Sequence, residues 1–407
     1  VDIQDADVNT VTTVDEELGD NAKRPIVRVE YLDGVRGLAA LGVLLSHEQG
    51  QCHSLLLHDL SGHLSKIARL LISPFADGEA YVSMFIVLSG YCLTLPLIVG
   101  QSSPRKLDIA KFAYRRSRRI IPPYYAALAL SLLLIYLVPE LNQKTGTFWD
   151  VALPAFGTGD ILTHIFLVHN LVAGYYDKID PPMWSVGPEW QIYYIFALVL
   201  LPLWRKLNIW IVLAAALILS YVPYAFAQQT IHFGGSQMVF TFSVGMLAAI
   251  IGFGNDVHLN KLASSPVWLL VIVLSLPVII YIQLHSATES PLAFEIQHVF
   301  HTLVALSILV ICTRSVQRNE DNNRNGFVNL CESRFARRLG IFSYSLYLIH
   351  SPILELFFIA FRRIHLAPVP TTCLVFLCAT PIICGLAYLF HLAFERPFLH
   401  RTIQRPH

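Results

Sequence analysis

Apolar residues run through this chain in ten stretches: 34–52, 79–99, 120–138, 184–204, 208–226, 236–254, 266–284, 295–313, 338–360 and 371–393. A helix crosses a bilayer with roughly 17 to 25 mostly apolar residues, so each stretch is long enough to span. Two further apolar pieces are not. Residues 55–72 alternate Leu and Ile with His58, Asp59, His63, Lys66 and Arg69, the pattern of an amphipathic helix lying in the interface. Residues 161–173 are too short to cross, which predicts a re-entrant or peripheral piece. Residues 1–30 are polar, acidic over their first twenty positions and without the apolar segment of a secretory signal, so they read as a flexible cytosolic tail. The prediction is an all-α, polytopic transmembrane helix bundle of about ten spans. It occupies residues 31–400 as one membrane domain, with 401–407 as a short cytosolic C-terminal tail.

Charge orients the bundle. With ten spans, 22 of the 29 Lys and Arg lie on the side of the N-terminus, six lie on the other, and Arg36 falls within a span. Such an excess marks the cytosolic side. The chain is therefore expected to be integral and multi-pass with both termini cytosolic, a placement that the endoplasmic reticulum and the plasma membrane fit equally. A crossing by 161–173 would invert every later loop and destroy this agreement. Only 14% of residues are charged, against about 25% in a soluble domain. The net charge of +1 supplies no basic field, which excludes nucleic acid as a partner. The seven cysteines, mostly inside apolar stretches and without a C-x-x-C pair, read as packing residues.

Ionisable side chains within spans are costly and are functional candidates by default. Arg36 and His47 stand eleven residues apart in the first stretch, so a helix separates them by about 20° around its axis and roughly 16 Å along it. Each has a structural reading, Arg36 snorkelling to headgroups and His47 bonding a neighbouring helix. Together on one face they read as two ends of a ligand channel. At the start of the third stretch, Arg116 and Arg119 sit within Arg115-Arg116-Ser117-Arg118-Arg119. That run serves as a topology anchor, and two guanidinium groups three residues apart also suit a phosphate clamp.

Six strings in order resemble the acyltransferase 3 family of integral membrane acyltransferases. They are Leu32-Asp33-Gly34 with Arg36 and His47, Phe85 to Tyr91, Arg116-x-x-Arg119-Ile120-x-Pro122, Trp184 to Trp190, Ser343 to His350, and Phe394-Glu395-Arg396-Pro397-Phe398. The resemblance runs from about residue 31 to 400 and implies a helical enzyme that moves an acyl group, usually acetyl, from a coenzyme A thioester to a hydroxyl. The donor, acetyl-CoA or another acyl-CoA, would be a substrate and not a permanently bound cofactor. The short acidic tail, and departures from the commoner bacterial wording such as Gly187-Pro188 ahead of Glu189, resemble fungal members, and that resemblance implies a role in acylating a secondary metabolite.

A thioester already has a good leaving group, so the reaction chiefly needs a base for the acceptor hydroxyl. Histidine suits that task, and the family's leading catalytic candidate matches His47. Glu189 is expected beside it, as the carboxylate that orients the ring, or else as a cap on its own helix. Arg36, Arg116 and Arg119 are the expected donor-binding residues. His350 and Tyr347 are expected near the acceptor, or bonding across helices, and Ser185 and Tyr194 are further pocket-lining residues. No appended hydrolase domain is read after residue 400, so acceptor recognition should fall to the spans and to 139–183, whose aromatic residues suit a metabolite, glycolipid or sugar. Three rivals compete. A secondary transporter would predict internal repeats, which the two halves do not show. A metal or haem site built from His47, His53, His58 and His63, or from His298 and His301, lacks compact spacing, so no metal is expected. An inactive scaffold would not need the full set of Arg36, His47, Arg116, Arg119 and Glu189.

Overall fold

The computed structural model describes residues 12–16, 24–57, 63–99, 107–152, 157–225, 234–254, 256–285, 291–317 and 326–399. Most of the expected tail 1–30, all of 401–407, and His58 lie outside them. Within the tail, β1 (Thr12–Glu16) and β2 (Arg24–Arg28) pair antiparallel with Thr12 opposite Arg28. Among the described residues, every regular element after them is a helix. The helices are α1 (Glu30–Leu57), α2 (His63–Ile72), α3 (Gly78–Ile98), α4 (Ile109–Leu137), α5 (Thr158–Ile165), α6 (Val186–Ile195), α7 (Leu201–Lys206), α8 (Ile209–Ala225) and α9 (Met238–Phe253). They continue as α10 (Val257–Ala263), α11 (Val267–His285), α12 (Pro291–Gln317), α13 (Gly326–Glu332), α14 (Arg334–Ile341), α15 (Ser343–Arg363), α16 (Pro368–Leu374) and α17 (Thr380–Phe390).

The chain is an integral, multi-pass helix bundle, and each of the ten apolar stretches contains one of these helices. The expected count of ten spans is not reached by length and apolarity. Among the described residues six helices are long and apolar enough to cross: Gly78–Ile98, Ile109–Leu137, Pro181–Lys206, Leu292–Gln317, Ser343–Arg363 and Pro368–Phe398. A seventh is added if α9 and α10, bent by 97°, form one span. α8 and α11 are apolar helices of 17 and 19 residues that are not among the six. α1 is long but carries Glu30, Asp33, Arg36 and Glu48, so its charged groups and not its length set it apart. Two of the six run through π-helical turns: Phe196–Leu200 joins α6 to α7, and Val375–Ala379 joins α16 to α17.

The close contacts come from glycine. A Cβ on Gly90 of α3 would stand 2.0 Å from the carbonyl oxygen of Phe242, and one on Gly245 of α9 would stand 2.0 Å from that of Val87. The two helices thus press backbone against backbone at reciprocal positions, the small-residue packing by which spans associate where lipid removes the hydrophobic drive. At the end where α1 begins, Tyr31, Tyr91 and Thr313 close a buried triangle of hydroxyls, with Tyr31 and Tyr91 each 2.8 Å from Thr313. These contacts fix α1, α3, α9 and α12 around one another.

The segment expected to be re-entrant or peripheral does not span. It forms the eight-residue α5 and a 3₁₀ turn at His169–Leu171, held to α4 by Tyr124, whose hydroxyl donates to the His164 carbonyl at 3.1 Å, and by Tyr125, which donates to Ile165 at 2.6 Å. His164 and His169 stack with ring centroids 4.2 Å apart, both buried. Burial, and then the His164 ring beside it, hold His169 down to about 3. The α2 helix presents Leu64, Ile67, Leu70 and Leu71 on its exposed side, as an interfacial helix does.

Two consequences are measurable. Gly245→Val, which forces α3 and α9 apart, should lower stability by at least roughly 2 kcal/mol, seen as loss of folded protein in detergent or a lower melting temperature. Because the folded value for His169 lies below the unfolded one, its contribution to stability is present above about pH 6.5 and is lost as pH falls toward 3. At pH 5 that amounts to roughly 2 kcal/mol. The drop in melting temperature between pH 7 and pH 5 should therefore be smaller in His169→Gln than in the wild type.

Candidate active site

Three arginines expected to hold an anion share one cavity of about 250 Å³. Arg36 reaches it from α1, and Arg116 and Arg119 from α4, where Asp108 begins the helix by accepting from the Lys111 amide at 3.0 Å. Arg36 pairs with Asp33 at 3.2 Å and lies 3.7 Å from the Cys92 sulfur. The Arg116 guanidinium stands 5.3 Å over the Tyr193 ring and 5.7 Å over Phe112, cation–π contacts that orient it without neutralising it. Among the described residues no carboxylate lies within ion-pair distance of Arg116 or Arg119. The remaining wall includes Ser89 and Cys92 of α3, Ser343 and Tyr344 of α15, and the expected Ser185, but not Tyr194, which packs edge-on against Trp190.

Glu189 faces this cavity too, and this corrects its expected partnership with His47. Its Oε1 accepts from the Tyr193 hydroxyl at 2.5 Å and from Ser89 at 3.4 Å. The reason is depth. The span starts at Pro181 with a 3₁₀ turn, so Glu189 is eight residues in, roughly 12 Å along a helix, and reaches the level of the arginines.

His47 meets His350 instead. Its Nδ1 lies 2.7 Å from His350 Nε2, while His350 Nδ1 points at the carbonyl oxygens of Tyr347 at 2.7 Å and Leu346 at 3.1 Å. Both ring nitrogens of His350 are thus engaged, which removes the direct acceptor contact expected of it. Tyr347 joins the two regions: it lines the cavity, and its ring stands 6.0 Å from His350. Its hydroxyl is fixed 2.7 Å from Ser185 Oγ and donates to the Pro182 carbonyl at 2.7 Å. Phe85 packs edge-on against it at 6.1 Å.

On its other side His47 is covered by Phe148, with ring centroids 4.9 Å apart and planes 19° from parallel. Phe148 is 40% exposed, so this side opens outward. Its loop is rigidly built. Asp150 accepts from the amides of Thr145 and Gly146 at 2.7 and 2.9 Å, Trp149 Nε1 donates to Leu141, and Thr147 donates to the buried Glu355 at 2.8 Å. Gln51, one turn beyond His47, donates to the same Glu355 oxygen at 2.9 Å. Sequence pattern missed Phe148 because it lies on an irregular segment, and missed Ser89, Tyr193 and Tyr344 because uncharged residues in an apolar run carry no signal.

Among the described residues no group of three or more His, Cys, Asp or Glu is arranged to hold a metal. His301 Nε2 stands 2.6 Å from the Asp77 carboxylate, and His298 Nε2 is hydrogen-bonded with the Thr241 hydroxyl at 2.9 Å.

A family profile for an acyltransferase domain matches residues 29–391, nearly the whole chain. The chain belongs to the acyltransferase 3 family. The relatives it matches include the peptidoglycan O-acetyltransferase OatA of Listeria monocytogenes, 26% identical over 42% of this chain and 24% of the relative. The O-acetyltransferase OatA of Staphylococcus aureus is 28% identical over the same shares. The putative peptidoglycan O-acetyltransferase YrhL of Bacillus subtilis is 24% identical over 80% of this chain and 48% of the relative. The chain thus matches about a quarter to a half of the length of these curated relatives. No solved structure matches at a significant level.

Proposed function

We propose that this member of the acyltransferase 3 family is a membrane O-acetyltransferase that moves an acetyl or other acyl group from acyl-CoA to a hydroxyl of a metabolite, glycolipid or sugar. The observation that carries the reading is the joining of the three-arginine cavity to the His47–His350 pair through Tyr347. Arg116 and Arg119, free of carboxylate partners within ion-pair distance among the described residues, suit the phosphates of coenzyme A. Arg36 lines the same cavity, 3.2 Å from Asp33. The thioester would pass Phe85 and Tyr347 to His47. His47 takes the acceptor's hydroxyl proton, the acceptor oxygen bonds to the thioester carbonyl carbon, the carbon–sulfur bond breaks, and the departing thiolate recovers the proton. Glu189, held by Tyr193 and Ser89, belongs in this reading to the donor cavity and offsets part of its positive charge.

The acceptor would approach beside Phe148. With the orientation expected from the basic residues, both termini and the arginine cavity are cytosolic, and Phe148 faces the opposite compartment. The relatives' names point to a polysaccharide acceptor, while the aromatic surface of 139–183 also suits a less polar alcohol. A place in fungal secondary metabolism rests on the short acidic tail and on the wording around Gly187 and Pro188. No observation favours the transporter considered from sequence.

Membranes holding the protein, incubated with labelled acetyl-CoA and a panel of sugars, glycolipids and terpenoid alcohols, should yield at least one product heavier by an acetyl group. Absence of both transfer and donor hydrolysis would sink the assignment. His47→Ala should lower turnover by about 10²- to 10⁴-fold with acetyl-CoA binding retained. Arg119→Ala should instead raise the KM for acetyl-CoA by about tenfold, as loss of one charge-assisted contact does; an unchanged KM would remove Arg119 from the donor site.

A further inference from the structure

The contact between α1 and α15 decides which nitrogen of His47 is free. His350 aims Nδ1 at the carbonyl oxygens of Tyr347 and Leu346. A carbonyl only accepts, so Nδ1 of His350 carries the proton, and in the neutral ring Nε2 is then an acceptor. Facing that acceptor at 2.7 Å is Nδ1 of His47, which must donate. The proton of a neutral His47 therefore sits on Nδ1, and Nε2 keeps the lone pair.

Ring geometry agrees. The two imidazole planes differ by 13° and their centroids are 4.9 Å apart. With nitrogens at 2.7 Å, those values describe rings meeting edge to edge in nearly one plane, as a straight N–H···N bond requires. Phe148 lies along a face of the His47 ring and hinders it from turning over. Among the described residues no carboxylate is hydrogen-bonded to either imidazole. A peptide carbonyl ends the chain where a Ser-His-Asp triad has its carboxylate.

We infer that His350 is a positioning residue: anchored on the Tyr347 carbonyl, it holds His47 in the tautomer whose Nε2 is unprotonated and can take the acceptor's proton. This rests on the reading of His47 as the base. When Nε2 takes that proton, the imidazolium keeps its Nδ1–H bond to His350, which becomes charge-assisted. The proton passes from acceptor oxygen to Nε2 and then to the thiolate sulfur, and nothing is oxidised or reduced.

The test is the ¹⁵N spectrum of full-length protein in nanodiscs at pH 8, with histidine rings labelled and His47 assigned by the signals lost in His47→Gln. Wild-type His47 should show a protonated Nδ1 and an unprotonated Nε2. In His350→Ala the proton should move to Nε2, kcat should fall by about a hundredfold, and the KM for acetyl-CoA should change less than twofold. His350→Gln places an amide oxygen near the lost Nε2, and should restore both the tautomer and at least a tenth of wild-type kcat.

Wild-type His47 protonated on Nε2, or a His350→Ala protein with an unmoved proton, overturns the inference. So does His350→Gln that leaves the proton on Nε2. If His350→Ala does not fold, the wild-type and His350→Gln spectra decide. A confirmed tautomer together with full turnover by His47→Ala would separate the two claims: the hydrogen-bond chain would stand and the base assignment would fall.

Discussion

Lipid offers no hydrogen bonds, so each polar group that enters this bundle must find its partner inside the protein. The consequences recur at every level. Tyr31, Tyr91 and Thr313 satisfy one another where α1, α3 and α12 meet. Glu48, buried in α1, accepts from Thr380 at 2.9 Å through both oxygens. Glu355 accepts hydrogen bonds from Gln51 and Thr147, and Glu395 accepts one from Ser345 at 2.6 Å, with His391 beside it at 2.9 Å. Apart from the His391–Glu395 pair, each bond joins elements far apart in sequence and so fixes a helix in rotation and depth. His47 and His350 belong to this set, and the chemistry argued for them follows from the same requirement.

That requirement also explains what the sequence made legible. A charge inside an apolar stretch stands out against its neighbours, as Arg36 does, and Arg116 and Arg119, three apart in a basic run at the entrance of a stretch, could be picked from spacing; the structure places all three on one cavity. The choice of partner is another matter. Whether His47 meets Glu189 or His350 depends on how far each span is displaced along its axis, and the 3₁₀ turn at Pro181–Ser185 carries Glu189 inward by an amount no periodicity encodes. The helices followed the apolar stretches closely. The number that qualify as spans by length and apolarity is smaller, six or seven among the described residues, because polar groups and bends interrupt some helices. Phe148 was illegible for a third reason: one aromatic residue on an irregular loop looks like any interfacial ring.

In the proposed reaction, a donor with phosphates and an acceptor from the other side of the membrane would present this fold with a problem of permeability. A channel wide enough for both, open at once, would let ions through. The rings at the two sides of His47 answer it. Tyr347, pinned by Ser185 and Pro182 and backed by Phe85, stands between the histidine pair and the arginine cavity, while Phe148 closes the outward side on a loop braced by Asp150 and Glu355. Under the proposed reaction each substrate would need to pass only its own ring. In the proposed reaction the histidine would be approached from two sides, with an aromatic ring standing on each.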